Sequence, residues 1–199
     1  MLLNSIIKDY RLILASQSPR RKLLLEGLDL KFDVVVRDNI PEEYPSHLNR
    51  NEIPVWLARN KSDYYVDLLK DRTILITADT IVWHEDKLLG KPSDLKDAAT
   101  ILATLSGSMH EVVTGVCLRS VKRIYTFHSN SKVWFRKLSP EEIEYYTVNY
   151  MPLDKAGAYG IQEWIGYIGI EEIEGSFYNV MGLPVQTLYQ ELVGFLKSD

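Results

Sequence analysis

The apolar positions change period several times along the chain, and each change marks a predicted element. Leu12 to Ser16 is a short apolar run that passes through Gln17-Ser18 into Pro19, after which helical spacing continues to about Glu26 and stops at Gly27. This predicts a strand, a turn and a helix whose N-terminus lies at the strand's C-terminal end. Val34 to Val36 reads as a second strand, the polar stretch from Asp38 to Asn51 as a loop, and Ile53 to Leu69 as a long helix. Thr73 to Trp83 carries the clearest strand pattern, Ile-Leu-Ile and then Ile-Val-Trp, with Asp79 set among apolar residues. Leu95, Ala98, Ala99, Leu102 and Leu105 keep helical spacing from Asp94 to Leu105, ahead of Ser106-Gly107. Glu111 to Arg119 and Arg123 to Phe135 are β-rich runs around a basic turn, the pattern of a hairpin. A helix from Pro140 to about Tyr150, irregular glycine-rich chain from Gly157 to Gly182, and a last helix from about Pro184 to Leu196 complete the pattern. Strands and helices mix without strict alternation, so the expected fold is α/β, three layers around a mixed sheet.

Two helix starts use the same Ser-Pro device with opposite charge. Ser139-Pro140-Glu141-Glu142 places carboxylates in the first turn, as the helix dipole prefers. Ser18-Pro19-Arg20-Arg21-Lys22 places three cations there, each opposing the dipole by roughly 0.3–1 kcal/mol. A bound phosphate reverses that cost by pairing with the side chains and with the unpaired N–H groups of the first turn. The competing reading is a solvated face whose Arg20 and Arg21 stems cover apolar neighbours.

Charge and length bound what such a site serves. The chain has 199 residues, 46% of them hydrophobic, enough for a full core in one domain over 1–199, with room for two lobes. A net charge of −4 excludes a general polyanion-binding surface, so a small anionic ligand fits better than a nucleic acid polymer. Cys117 is the only cysteine, which excludes an intrachain disulfide and reads as a core thiol. Lys8, Asp9 and Arg11 interrupt the apolar residues of the first fourteen, and no segment approaches the ~20 apolar residues of a membrane span. The expected setting is cytoplasmic, away from membranes.

Four further segments carry candidate chemistry. A carboxylate inside a β run is costly unless paired, hydrogen-bonded or on a metal, so Asp79 is a candidate metal ligand or general base, with a turn cap beside Thr80 as the plain alternative. Leu89-Gly90-Lys91-Pro92 resembles the end of a P-loop but lacks the glycine five residues earlier, leaving Lys91 as a point charge for a phosphate or as an exposed turn lysine. His47, His84, His110 and His128 show no metal-ligand spacing, and His110 reads as a junction residue bonded to backbone. In Asp154-Lys155-Ala156-Gly157-Ala158-Tyr159-Gly160-Ile161-Gln162 small residues flank an amide. Gln162 can accept from the N3–H and donate to the O4 of uracil or thymine, although the flipped amide matches cytosine and a buried, backbone-satisfied glutamine is equally compatible. Tyr159, Trp164, Tyr167 and Tyr178 are candidates for stacking on a base, with core packing the commoner role for each.

Taken in order, these segments resemble the Maf family of nucleoside triphosphate pyrophosphatases, once described as septum-formation inhibitors. The resemblance runs from Leu14 to Pro184 through Ala15-Ser16-Gln17-Ser18-Pro19-Arg20-Arg21, Ala78-Asp79-Thr80-Ile81-Val82, Gly90-Lys91-Pro92, Ser106-Gly107 with His110 and Thr114-Gly115, the 154–162 segment, and Asn179-Val180-Met181-Gly182-Leu183-Pro184. It implies a Maf/ITPase-like fold with an active-site cleft between two lobes, and hydrolysis of a nucleoside triphosphate between its α- and β-phosphates with a divalent metal, Mg2+ or Mn2+. Arg20, Thr80 and Gln162 match the branch acting on dTTP and UTP, and Asp79 matches the catalytic base. Ser16, Arg21, Lys61 and Lys91 match phosphate-binding positions, and Glu42 with Asp79 matches the metal site. The family's Asp-Glu pair is replaced here by Pro41-Glu42, so Glu43 competes with Glu42 for that place. A homodimer and a part in nucleotide-pool cleansing or division arrest follow by the same analogy. The alternative reading is a nucleotide-binding regulator of division with little turnover. A buried carboxylate facing a polyanion argues against it unless a metal bridges them.

Overall fold

The computed structural model describes residues 2–197. Its elements are α1 (Leu3–Ile7), β1 (Arg11–Ala15), α2 (Pro19–Glu26), β2 (Asp33–Val35), α3 (Glu52–Asp63), β3 (Thr73–His84), β4 (Lys87–Leu89), α4 (Leu95–Leu105), β5 (Met109–Arg119), β6 (Ile124–Phe135), α5 (Pro140–Tyr150), α6 (Trp164–Gly169), β7 (Ile170–Glu174), α7 (Phe177–Met181) and α8 (Val185–Lys197). The seven strands form one mixed sheet in the order β2-β1-β3-β5-β6-β7, with β4 paired to β3, and helices flank it. β1 runs parallel to both β2 and β3, whereas β4 on β3 and β7 on β6 are antiparallel. No helix of the described residues is long and apolar enough to cross a membrane.

Two expectations need correction. The long helix ends at Asp63, and the apolar residues up to Leu69 belong to a separate 3₁₀ turn, Val66–Leu68. Tyr65, Leu68 and Leu69 pack there against Ile13 and Leu75, so tertiary burial accounts for an apolar spacing that reads as more helix. The stretch from Gly157 to Gly182 is not irregular: it holds α6, β7 and α7, each of five or six residues. Elements that short complete at most two helical turns or three alternations, too few to show a period against a glycine-rich background.

The described chain falls into two compact units. The first comprises residues 2–79, 114–129 and 182–197, and so contains β1, α2, β2, α3 and α8 with the first part of β3. Its strands are buried from Leu12 to Ala15 and from Thr73 to Asp79. Helix α3 meets β5 in direct backbone contact: a Cβ on Gly115 would overlap the Pro54 carbonyl and the Val55 nitrogen, so only glycine fits. The Thr77 hydroxyl donates to the Ala58 carbonyl at 2.6 Å and Arg119 Nη1 to Ser62 Oγ at 3.0 Å, fixing the far half of α3.

The second unit comprises residues 80–113 and 130–181. Val82, Val112 and Val133 centre one of its buried clusters, with Leu89, Ala156, Ile170 and Val180 against them. The buried Asn179 donates to the Val112 carbonyl at 3.1 Å and to Ser131 Oγ at 3.0 Å, tying α7 to the strands. The Gly157 N–H donates to the Gly90 carbonyl at 3.1 Å, which holds the 155–158 turn beside the Gly90-Lys91-Pro92 turn.

Candidate active site

In the first unit the cationic helix start forms as the sequence predicts. Ser18 is the N-cap of α2 and its Oγ accepts from the Arg21 N–H at 3.4 Å, Pro19 opens the helix, and no acidic residue occupies the first turn. Ser16, just beyond β1, accepts the Ser18 N–H on its Oγ at 3.2 Å and keeps its own O–H to donate. Arg21 Nε donates to the Gly182 carbonyl at 2.8 Å, which orients the guanidinium. Burial pushes Arg21 below its ordinary range; Asp79 and Glu42 pull the other way, and neighbouring Arg20 adds to the lowering. Helix α5 is the contrast: Ser139 and Glu142 form a capping box and two glutamates fill the first turn.

Asp79 sits inside β3 and its side chain is only 12% exposed. Its carboxylate is paired with Lys61 Nζ, whose other partner is Glu42 Oε1 at 2.8 Å. Asp79 is thus paired across the fold with a residue of α3, and Glu42 is the loop carboxylate that reaches Lys61. Lys61 is held from the last turn of α3, where a cation also suits the helix dipole. Lys61 thus bridges two acidic groups that would otherwise repel, and both also act on Arg21. The arrangement resembles what a polyanionic substrate needs: cations and amides at one side, and a low-exposure carboxylate to take a proton.

Thr80 and Lys91 belong to the second unit, Thr80 half-buried directly after Asp79 and Lys91 exposed after β4. Gln162 is half-buried there as well, with its Nε2 at 3.5 Å from Glu163 Oε1 and its Oε1 buried without a hydrogen-bond donor. It lines an open pocket of about 510 Å³ whose walls include Tyr167, Ile170, Ile173 and Phe177. Tyr167 is 82% exposed and Tyr178 50%, so neither is a core residue, whereas Tyr159 is buried and Trp164 packs its ring 4.8 Å from that of Tyr145. His110 binds no backbone; its Nε2 meets the Tyr159 hydroxyl at 2.7 Å, and burial lowers it to about 3, with His84 adding to the effect.

Beside Gln162 lies a polar network that the sequence did not disclose. Lys155 Nζ lies 2.7 Å from Asp154 Oδ1 and 3.2 Å from Glu163 Oε1, while the Tyr146 hydroxyl donates to Glu163 Oε2 and accepts the Gly160 N–H at 3.0 Å. Glu163 stands next to Gln162 in a stretch poor in charge, and that adjacency was the one available signal.

The fold is a mixed α/β sheet whose first unit holds a cationic helix start and a lysine shared by two carboxylates. The chain belongs to the Maf-like protein family, which matches residues 11–195. It is 52% identical over 195 residues to the dTTP/UTP pyrophosphatase of Porphyromonas gingivalis W83, covering 97% of this chain and 98% of the relative. The dTTP/UTP pyrophosphatases of Parabacteroides distasonis (53% over 189 residues, 95% and 98% covered) and Flavobacterium johnsoniae (45% over 191 residues, 96% and 98% covered) are similar to it over the same extent.

Proposed function

We propose that this chain hydrolyses dTTP and UTP to the nucleoside monophosphate and pyrophosphate. The observation that carries the reading is the low-exposure Asp79 paired with Lys61 in the unit that also holds the cationic start of α2. The names of relatives about half identical over nearly the whole chain support the substrate class.

A triphosphate carries about four negative charges at neutral pH, and charge shifts onto the departing pyrophosphate as the bond breaks. Arg20, Arg21, Lys61, Lys91, the Ser16 hydroxyl and the first N–H groups of α2 supply the positive potential and donors that stabilise it. Water oxygen bonds to the α-phosphorus, the bond from that phosphorus to the bridging oxygen breaks, and Asp79 takes the proton lost by the water. Lys61 holds the Asp79 carboxylate by a direct ion pair. Thr80 and Gln162 are assigned to recognition of the base, together with Arg20.

A divalent cation, Mg2+ or Mn2+, fits Glu42 and Asp79. Among the described residues no three His, Cys, Asp or Glu side chains gather as a closed metal site, but Glu42 and Asp79 are oxygen donors of the kind a hard divalent ion would use. Bound there, it would polarise the α-phosphate and lower the pKa of water.

The test is pyrophosphate release from canonical and modified nucleoside triphosphates with Mg2+ or Mn2+, with Asp79→Asn run in parallel. Release confined largely to dTTP and UTP and lost in the variant is the expected result. Binding without release would favour the regulatory alternative, and near-normal activity in Asp79→Asn would remove Asp79 from its role.

A further inference from the structure

We infer that Glu163 is a positioning residue that fixes which way the Gln162 amide faces, and so selects uracil or thymine over cytosine. The inference rests on the proposed role of Gln162 as the reader of the base.

A glutamine amide has an accepting end and a donating end, and rotation by half a turn exchanges them. Left to itself it matches either pyrimidine pattern: N3–H with O4 in uracil and thymine, or N3 with the N4 amino group in cytosine. Discrimination therefore needs something else to forbid one flip. Glu163 is suited to that task because an ionised carboxylate only accepts hydrogen bonds, so the donating end of Gln162 must face it. The observed placement obeys this rule, with Nε2 at 3.5 Å from Glu163 Oε1. The reverse flip would set two acceptors against each other.

Glu163 is itself held in place from several sides. Its Oε2 accepts from the Tyr146 hydroxyl, that hydroxyl accepts from the Gly160 N–H at 3.0 Å, and its Oε1 lies 3.2 Å from Lys155 Nζ. The Tyr146 hydroxyl, the Lys155 ammonium and the Gln162 amide nitrogen all reach the carboxylate as donors. Gly160 completes the arrangement: a Cβ there would come within 2.7 Å of Glu163 Cδ and 2.9 Å of Gln162 Nε2, so both side chains fold over a residue that has none.

The consequence appears at the other end of the amide. Gln162 Oε1 is buried and has no donor, a state that costs free energy until a ligand supplies one. An N3–H supplies it. Cytosine would set its N3 lone pair against the same oxygen.

The experiment compares kcat/KM for UTP and CTP in the parent chain, Glu163→Gln, Tyr146→Phe and Gln162→Leu. A glutamine at 163 offers both an oxygen and an NH2, so either flip of Gln162 is satisfied. The expected result is a fall of about 10-fold in the UTP-to-CTP ratio for Glu163→Gln, and of about 3-fold for Tyr146→Phe, which loosens the carboxylate without removing it. Partial unfolding lowers both rates together and leaves the ratio alone, so a purely structural role cannot produce the fall. A ratio unchanged in Glu163→Gln but lost in Gln162→Leu overturns the positioning role and leaves Gln162 as the reader. A ratio unchanged in Gln162→Leu overturns both.

Discussion

Each compact unit contains a lysine shared by two carboxylates, and the two sets differ in what else holds them. Lys61 joins Glu42, half-exposed on a loop, to Asp79 on β3. Lys155 joins Asp154 to Glu163, and there a tyrosine hydroxyl and a backbone amide also fix the carboxylate. In the first set the cations are Lys61, paired with both carboxylates, and Arg21, on which Asp79 and Glu42 both act. In the second set several donors overdetermine one geometry. The same ion-pair chemistry thus appears once among charged partners and once with neutral donors added to it.

Replacing Asp79, the proposed base, should separate the two sets most sharply. Asp79→Asn is expected to lower kcat by about 10²–10⁴-fold for every substrate while changing the urea midpoint little, because the asparagine still accepts from Lys61. Initial-rate and unfolding measurements on one preparation check both halves.

The next effect is on pH. His110 is buried beside Tyr159 and lowered to about 3, so the folded chain binds fewer protons there than the unfolded chain, whose histidine titrates near 6.5. Its contribution to stability is complete above about pH 6.5 and is lost at up to about 1.4 kcal/mol per pH unit as pH falls toward 3. Urea unfolding from pH 7 to pH 4 should show that slope, and His110→Gln should flatten it.

Lys155→Met tests the rigid set. It leaves Glu163 little exposed without its cation, and a loss of about 3 kcal/mol in unfolding free energy is expected. An unchanged urea midpoint would mean that Tyr146 alone sustains the carboxylate. Smallest are the two N-caps: Ser18→Ala and Ser139→Ala should each cost about 1 kcal/mol in stability. Only the first should also raise KM for the triphosphate.

The sequence made the reactive set largely visible and the rigid set barely so. Ser18-Pro19 and the cations behind it are local signals, as is a lone aspartate in an apolar strand, and α2 and β3 form where those signals place them. That Glu42 pairs with Lys61 is visible only in the fold, because the two lie nineteen residues apart. Glu163 depends on Tyr146, seventeen residues distant on a different helix, and on Lys155 across a turn, so no local pattern marks it. Boundaries failed where burial and period disagree, as at the end of α3, or where elements of five or six residues carry no period at all.

The sole cysteine gives the protein a stopwatch. Cys117 on β5 has no exposed surface, its thiol is pushed up chiefly by burial, and Ser62 and Thr77 beside it belong to the helix and strand that present Lys61 and Asp79. A thiol reagent can reach it only when that layer separates. Its labelling rate therefore counts openings of the floor under Asp79 in the unaltered chain, and the change in that rate on adding nucleotide measures how far the nucleotide shuts them down.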